Sequence, residues 1–168
     1  MRKISFIGFV MAVALSAFSN QHIRLASAQD DKMMKDKGMK GKMMHTMTVM
    51  LDGKQEVPGP GDTDGKGKAK ITMNHDKGEL CWDISVTKIQ APTAAHIHMG
   101  AAGQAGEVKL PLEKGANGSW KSCKMVDKAA MDEIMANPAN FYVNVHNAEF
   151  PNGALRGQLS NSAMSMKK

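Results

Sequence analysis

The sequence predicts an all-β domain, a β-sandwich or barrel of seven or eight short strands with one short helix. Apolar and polar residues alternate over several short segments, as they do in half-buried strands. Turns rich in Gly, Pro and Asn separate these segments. One segment has helical spacing instead: Asp127 is the expected N-cap of a helix over residues 128–136, which Asn137 and Pro138 end.

The predicted strands lie in a folded region that ends near Ser160. A long turn over residues 57–65 follows the first strand, because its Pro and Gly residues forbid a regular ladder. In chain order the strands are expected over residues 46–51, 67–75, 80–86, 93–100, 107–112, 120–125, 141–146 and 154–159.

The N-terminus has the features of a secretory signal peptide over residues 1–28. Two basic residues precede an uncharged apolar run over residues 4–18, and a small-residue cleavage pattern ends at Ala28. The run has 15 residues, fewer than the ~20 of a membrane-spanning helix, so we expect cleavage rather than an uncleaved anchor. The mature chain would then have 140 residues, no transmembrane span and a periplasmic or secreted location.

Residues 29–46 form a Met- and Lys-rich leader that we expect to be disordered. It has no aromatic or β-branched residue before Thr46 and cannot build a core. A solvated linker is one interpretation. The other is a soft-metal group, because thioether sulfur suits copper(I) and Met43, Met44, His45 and Met47 lie together where the segment ends. The tail, residues 161–168, is also expected to be disordered.

The net charge argues against a nucleic-acid partner. The formal charge is +6, and the predicted signal peptide carries three cations and no acid, so cleavage lowers it to +3. Much of this excess lies in the leader. The folded part is therefore near neutral and shows no basic stripe interleaved with aromatic residues.

Cys81 and Cys123 are the two cysteines of the chain. An even count in an exported chain favours one disulfide. A pair of thiolate metal ligands is the alternative, although the spacing lacks a C-x-x-C cluster. Because Cys81 alternates with the apolar face of its strand, we expect the disulfide outside the main core, or where a strand changes sheet.

Two predicted strands place histidine on their polar face. His96 and His98 alternate with apolar residues in one strand, and His146 does so in the other. Histidines two apart on a strand have Cα atoms about 6.5 Å apart, close enough for two imidazoles to share one metal. His146 could supply a third ligand if its strand is a neighbour. The alternative is structural, with these rings hydrogen-bonding the following Gly-rich loop and capping a hairpin.

The turn before the last strand decides which face carries Arg156. A two-residue loop on Asn152 and Gly153 would place His146 on the core face, against the alternation of its own strand. The turn must therefore be longer or contain a bulge, and Arg156 and Gln158 then share the face of His146.

Two charged residues are further candidates for this polar face. Arg156 could neutralise a bound anion, and its alternative is an ion pair with Glu149 or Glu56. Glu56 could likewise do no more than accept backbone hydrogen bonds in its Pro-flanked turn.

Four motifs recur in order along the predicted domain: Glu56-Val57-Pro58, Ala95-His96-Ile97-His98, Tyr142-Val143-Asn144-Val145-His146 and Gly153-Ala154-Leu155-Arg156-Gly157-Gln158-Leu159. On these motifs the sequence over residues 48–160 resembles the CHRD (chordin) domain family, which implies a domain over residues 47–160. The resemblance implies a secreted or periplasmic, Greek-key-like β-sandwich, somewhat similar in build to copper/zinc superoxide dismutases. It implies little about biochemistry, because fold does not give function, and it leaves the leader outside.

Three functions follow as hypotheses. The first is a non-enzymatic metal-binding protein whose histidines hold copper, with zinc as the alternative, and whose leader captures copper(I). The second is a structural or adhesive envelope module without metal. The third is a redox enzyme of the superoxide-dismutase type. Against that third hypothesis, no second cluster of His and Asp could build a bridged zinc site, and no nucleophile has a partnering base. The sequence identifies no protein partner.

Overall fold

The computed structural model describes residues 44–160 and 164–166, which form antiparallel strands and one α-helix. The all-β prediction is therefore confirmed. The predicted signal peptide and residues 29–43 of the leader lie outside the described residues. The elements are β1 Met44–Asp52, β2 Lys66–Asn74, β3 Glu79–Thr87, β4 Ala94–Met99, β5 Glu107–Pro111, β6 Lys121–Met125, α1 Lys128–Ala136, β7 Phe141–His146, β8 Leu155–Gln158 and β9 Met164–Met166.

The strands form one curled sheet in the order β5-β4-β7-β8-β1-β2-β3-β6, and β9 also pairs with β1. Strands β8 and β1 meet through a single pair, Asp52 with Arg156, so the sheet consists of two four-stranded halves. Its two ends approach each other. Trp82 of β3 donates from Nε1 to the carbonyl of Glu113, just after β5, at 3.1 Å.

The core lies between the two halves and follows from the alternation in the sequence. Alternate residues of each long strand face inward, because successive side chains leave opposite faces of a sheet. Helix α1 adds Met131 and Ile134 to the core, and its N-cap Asp127 accepts from Ala129 N–H, as predicted. Fully buried strand residues include Met47, Ala69, Ile71, Met73, Leu80, Ile97, Val143 and Leu155.

The turn between β7 and β8 is longer than two residues, as the parity argument required. Asn144 pairs with Arg156 and Val145 with Leu155, and the connection between the two strands runs over residues 147–154. Arg156 and Gln158 consequently share the outer face with His146, which confirms the prediction.

Strands extend beyond both ends of the predicted domain, into segments that were expected to be disordered. Strand β1 begins at Met44, three residues inside the segment assigned to the disordered leader. It extends this far because β2 continues to Asn74, which pairs with Met44. At the other end, β9 at Met164–Met166 pairs with residues 45–47 of β1, inside the segment predicted as a disordered tail.

The two cysteines form the predicted disulfide. Cys81 of β3 and Cys123 of β6 are opposite each other in register, and their bond lies on the outer face of the sheet. The thiolate-pair alternative is therefore wrong for this structure, although a Glu79 carboxylate oxygen lies within 4.8 Å of both sulfur atoms.

Truncation of the core at Ile71 tests this packing. Ile71→Ala should lower the free energy of unfolding by about 2–5 kcal/mol, because the side chain is fully buried and a cavity remains. Urea denaturation measures the change. Met50→Ala on the neighbouring strand is the control: Met50 is 66% exposed, so its loss should cost less than about 0.5 kcal/mol. Equal effects of the two substitutions would contradict the assigned faces.

Candidate metal site

Three histidines converge on the outer face of the β4–β7 pair. Strand β4 carries His96 and His98. His146 of β7 is opposite Ala94, which lies two residues before His96 on the same face. One ring nitrogen from each histidine can be chosen so that all three lie within 4.8 Å of one another. We refer to His96, His98 and His146 as the three-histidine cluster. The structure thus brings together the three residues that the sequence singled out.

Backbone carbonyls fix the orientation of two of these rings. His98 Nδ1 lies 2.9 Å from the carbonyl oxygen of Gly106, and His146 Nδ1 lies 3.0 Å from that of Pro151. A carbonyl only accepts, so each Nδ1 carries the proton and each Nε2 keeps its lone pair in the neutral ring. In metalloproteins, a hydrogen bond of this kind at Nδ1 fixes the tautomer and the orientation of the ring whose Nε2 binds the metal.

The third ring is linked to the second. His96 Nδ1 lies 3.1 Å from His146 Nε2. Because His146 is protonated at Nδ1, its Nε2 accepts and His96 Nδ1–H donates. If His96 and His146 held a metal through these two nitrogens, the Nδ1 proton of His96 would have to leave, and Nε2 of His96 is the other ring position that can carry it.

The buried Nε2 of His98 has no hydrogen-bond partner among the described residues. A buried polar atom without a partner is uncommon and costs about 1–3 kcal/mol. In the neutral ring this nitrogen carries a lone pair to which no described residue donates. The residues present therefore fit a metal that accepts three imidazole nitrogens and leaves a further coordination position open.

The electrostatics keep the cluster neutral. Burial, together with smaller effects of the nearby rings of His146 and His98, lowers the pKa of His96 to about 4. Burial also lowers the pKa values of His98 and His146, against the opposing effect of their carbonyl partners. Neutral imidazole is the form that binds metals, so a metal would meet no charged imidazolium in the cluster at neutral pH.

A second polar layer lies beside the cluster. Asn144, opposite His96 in the register, donates from Nδ2 to both carboxylate oxygens of Glu56, at 3.0 and 2.9 Å. The Oδ1 atom of Asn144 is buried without a partner. Gly153 permits this contact, because a Cβ there would lie 2.5 Å from Glu56 Oε2. The expectation of backbone bonds alone for Glu56 is therefore incomplete.

Arg156 makes neither of the predicted ion pairs. Within the described residues it has no carboxylate partner inside 4.0 Å, and its guanidinium donates to the carbonyls of Ala101 and Gln104, each at 2.8 Å. The guanidinium also lies over the Tyr142 ring, 3.5 Å from its centroid. With both of its donating nitrogens directed at carbonyls, Arg156 is not a residue that meets an anion from solvent.

The soft-metal group predicted at the end of the leader is divided by the fold. Met43 lies outside the described residues, whereas Met44 and His45 belong to β1. Met47 is fully buried in the core, because it lies on the inward face of that strand. Its assignment to a metal-binding leader is thus corrected.

The structural alternative predicted from the sequence is right that His98 hydrogen-bonds the Gly-rich loop, here through the carbonyl of Gly106. The sequence did not identify two other groups that orient the rings: the carbonyl of Pro151, and the ring of Tyr142, which stacks on His98 at 4.9 Å with an interplanar angle of 9°. A backbone carbonyl has no sequence signature. The Gly-rich loop after β4 was the one available signal, since glycine often marks close approach of the backbone.

Fold and cluster together define a class: an all-β domain with histidines grouped on an outward face of its sheet. Residues 47–159 match the CHRD domain, and because the match covers most of the chain, the protein belongs to the CHRD domain family. Comparisons with curated proteins and with solved structures gave no match. None of the helices in the described residues is long and apolar enough to cross a membrane.

The pH dependence of stability tests the assigned environment of Glu56. Burial raises its pKa from the ordinary 4.5 to about 7, so the folded protein binds this proton more tightly than the unfolded chain. The resulting stabilisation is complete below about pH 4.5 and is lost as the pH rises to about 7. Glu56→Gln cannot ionise, so the variant should gain about 1–3 kcal/mol on the parent between pH 4.5 and 8.

Urea denaturation of both proteins at each pH measures this difference and cancels the titration of the histidines. Glu149→Gln, at an exposed carboxylate in the same region, is the control for the removal of one negative charge. A difference between Glu56→Gln and the parent that stays constant with pH would show that the carboxyl titrates normally.

Proposed function

We propose that the protein is an exported, non-enzymatic copper-binding protein that holds one copper ion at His96, His98 and His146. The observation that carries the proposal is the buried Nε2 of His98, which has no partner in the described residues. Its ring centroid lies 5.4 Å from that of His96 and 6.2 Å from that of His146. Carbonyl-oriented, neutral imidazoles form a ligand set that suits copper and zinc.

Two arguments favour copper over zinc. Copper(II) binds a given nitrogen site more tightly than zinc in the Irving–Williams order. The thioether sulfurs of the leader methionines are soft ligands that suit copper(I). Export is supported by the predicted signal peptide and by the disulfide, which persists in an oxidising compartment.

A structural module without metal is the second candidate, and one specific observation favours it. His98 and His146 each hydrogen-bond a backbone carbonyl and thereby hold a loop on the sheet. This candidate accounts for both Nδ1 atoms. It gives no role to the unpaired Nε2 of His98. The superoxide-dismutase alternative has less support, because the other ligand group in the described residues contains the two disulfide-bonded cysteines.

Copper(II) titration of the mature protein tests the proposal. We expect about one equivalent to bind at neutral pH with an electron paramagnetic resonance spectrum of nitrogen ligation. The variant His96→Ala/His98→Ala should lose this tight site. His75→Ala is the control, because His75 is not part of the three-histidine cluster. Its Nε2 lies 3.0 Å from Oδ1 of Asp132. Undiminished copper uptake by the double variant, with its fold intact by circular dichroism, would refute the site.

The leader is tested separately with copper(I). Removing Gln29 to Met43 leaves β1 complete, because that strand begins at Met44. If the thioethers of the leader bind copper(I), the truncated protein should compete less well with a chromogenic chelator, while its copper(II) site is retained. As a matched control, a full-length chain with its leader methionines replaced by leucine should behave like the truncated one. Equal copper(I) affinity in all three proteins would identify the leader as a linker.

A further inference from the structure

Arg156 is the most deeply buried charged residue of the described chain, at 1% exposure. A buried charge is costly unless hydrogen bonds satisfy it. Its partners are carbonyl groups of one short segment, residues 100–106, which we refer to as the glycine loop. NH1 donates to the Gln104 carbonyl and NH2 to the Ala101 carbonyl, both at 2.8 Å. A rigid fork thus holds two points of the same loop.

Gln158 adds a third attachment of the loop. Its Nε2 donates to the carbonyl of Gly100 at 2.9 Å and its Oε1 accepts from Arg156 at 3.2 Å. The loop also depends on close backbone approach, since a Cβ on Gly106 would lie 1.6 Å from the Met99 carbonyl oxygen. The loop therefore has little freedom while Arg156 is in place.

The far end of this loop holds a ring of the three-histidine cluster. Gly106 accepts from His98 Nδ1 through its carbonyl at 2.9 Å and donates its N–H to the Tyr142 hydroxyl at 3.1 Å. The position of the Gly106 carbonyl thus decides which nitrogen of His98 carries the proton. It also decides where Nε2 points.

Arg156 and His98 are also connected through the ring of Tyr142. The Arg156 guanidinium lies on one face of the Tyr142 ring, 3.5 Å from the centroid, and Tyr142 stacks on His98 with an interplanar angle of 9°. Arg156, Tyr142 and His98 are thus linked by ring contacts in series. This contact fixes the plane of the imidazole, whereas the loop fixes its rotation within that plane.

We infer that Arg156 is a positioning residue, which sets the tautomer and orientation of His98 through the glycine loop and Tyr142. The consequence for metal affinity rests on the proposed function, whereas the effect on the His98 ring does not. Arg156 itself would touch no metal, because its guanidinium is directed at carbonyls and the Tyr142 ring. Loss of such an outer-shell group typically weakens metal binding by about 10–100-fold.

The test uses Arg156→Met and Arg156→Lys in the full mature protein. Methionine keeps the apolar stem and removes the fork, and lysine keeps the charge but cannot bridge two carbonyls. Gln104→Ala is the matched control in the loop, since Arg156 contacts its carbonyl and not its side chain. Ile71→Ala is the control for lost stability away from the loop.

The first readout is the imidazole nitrogen spectrum by NMR without metal. The parent and both controls should show neutral His98 protonated at Nδ1, and both Arg156 variants should show a mixture of tautomers. The second readout is copper(II) affinity, which should fall about 10–100-fold in the Arg156 variants and remain at the parent value in the controls.

The outcomes separate the two ideas. An unchanged His98 tautomer in a folded Arg156→Met protein would overturn the positioning role, and full rescue by lysine would also overturn it, because charge alone would then suffice. If the tautomer shifts as expected but neither parent nor variants bind copper, the positioning role stands and the proposed function fails.

Discussion

The polar face of β4, β7 and β8 is buried, and this burial constrains everything built on it. Tyr142, Asn144 and Arg156 point away from the core, yet none is more than 3% exposed. Their polar groups cannot rely on water, and each unpaired group would cost about 1–3 kcal/mol. Covering loops supply partners to the Arg156 guanidinium and to Asn144 Nδ2, through the carbonyls of residues 100–106 and the carboxylate of Glu56. Asn144 Oδ1 has no such partner among the described residues.

The same constraint shows why the structural and metal interpretations of the histidines are compatible. The hydrogen bonds of His98 and His146 to backbone carbonyls fasten loops to the sheet. A ring fastened through Nδ1 presents Nε2 at a fixed place, which is what a metal ligand requires. The structural role therefore uses one nitrogen of each ring and leaves the other available. In His98 the available nitrogen is buried and unpaired.

Much of the fold could be predicted from the sequence, because the alternation of apolar and polar residues shows which face of a strand is buried. The inward faces of the strands and the helix after Asp127 followed from residue periodicity. The shared face of His146 and Arg156 followed from parity across the turn. Alternation cannot tell whether the outer face is covered, so the burial of Arg156 and its carbonyl partners was not predictable. The early start of β1 was missed because residues 44–46 resemble the polar leader in composition.

The positive charge of Arg156 affects which charge state of a metal ion the proposed site would favour. The cluster has no carboxylate among its three members, and Arg156 adds a positive charge near enough to lower the pKa of His98. A bound dication would thus keep its full charge beside a cation in a partly desolvated place. An ion of lower charge suffers less repulsion there. For the proposed metal site, this repulsion would act on copper(II) and zinc alike and would favour the monovalent ion, copper(I), over both. This agrees with the soft thioethers of the leader as a source of copper(I) in the proposed function.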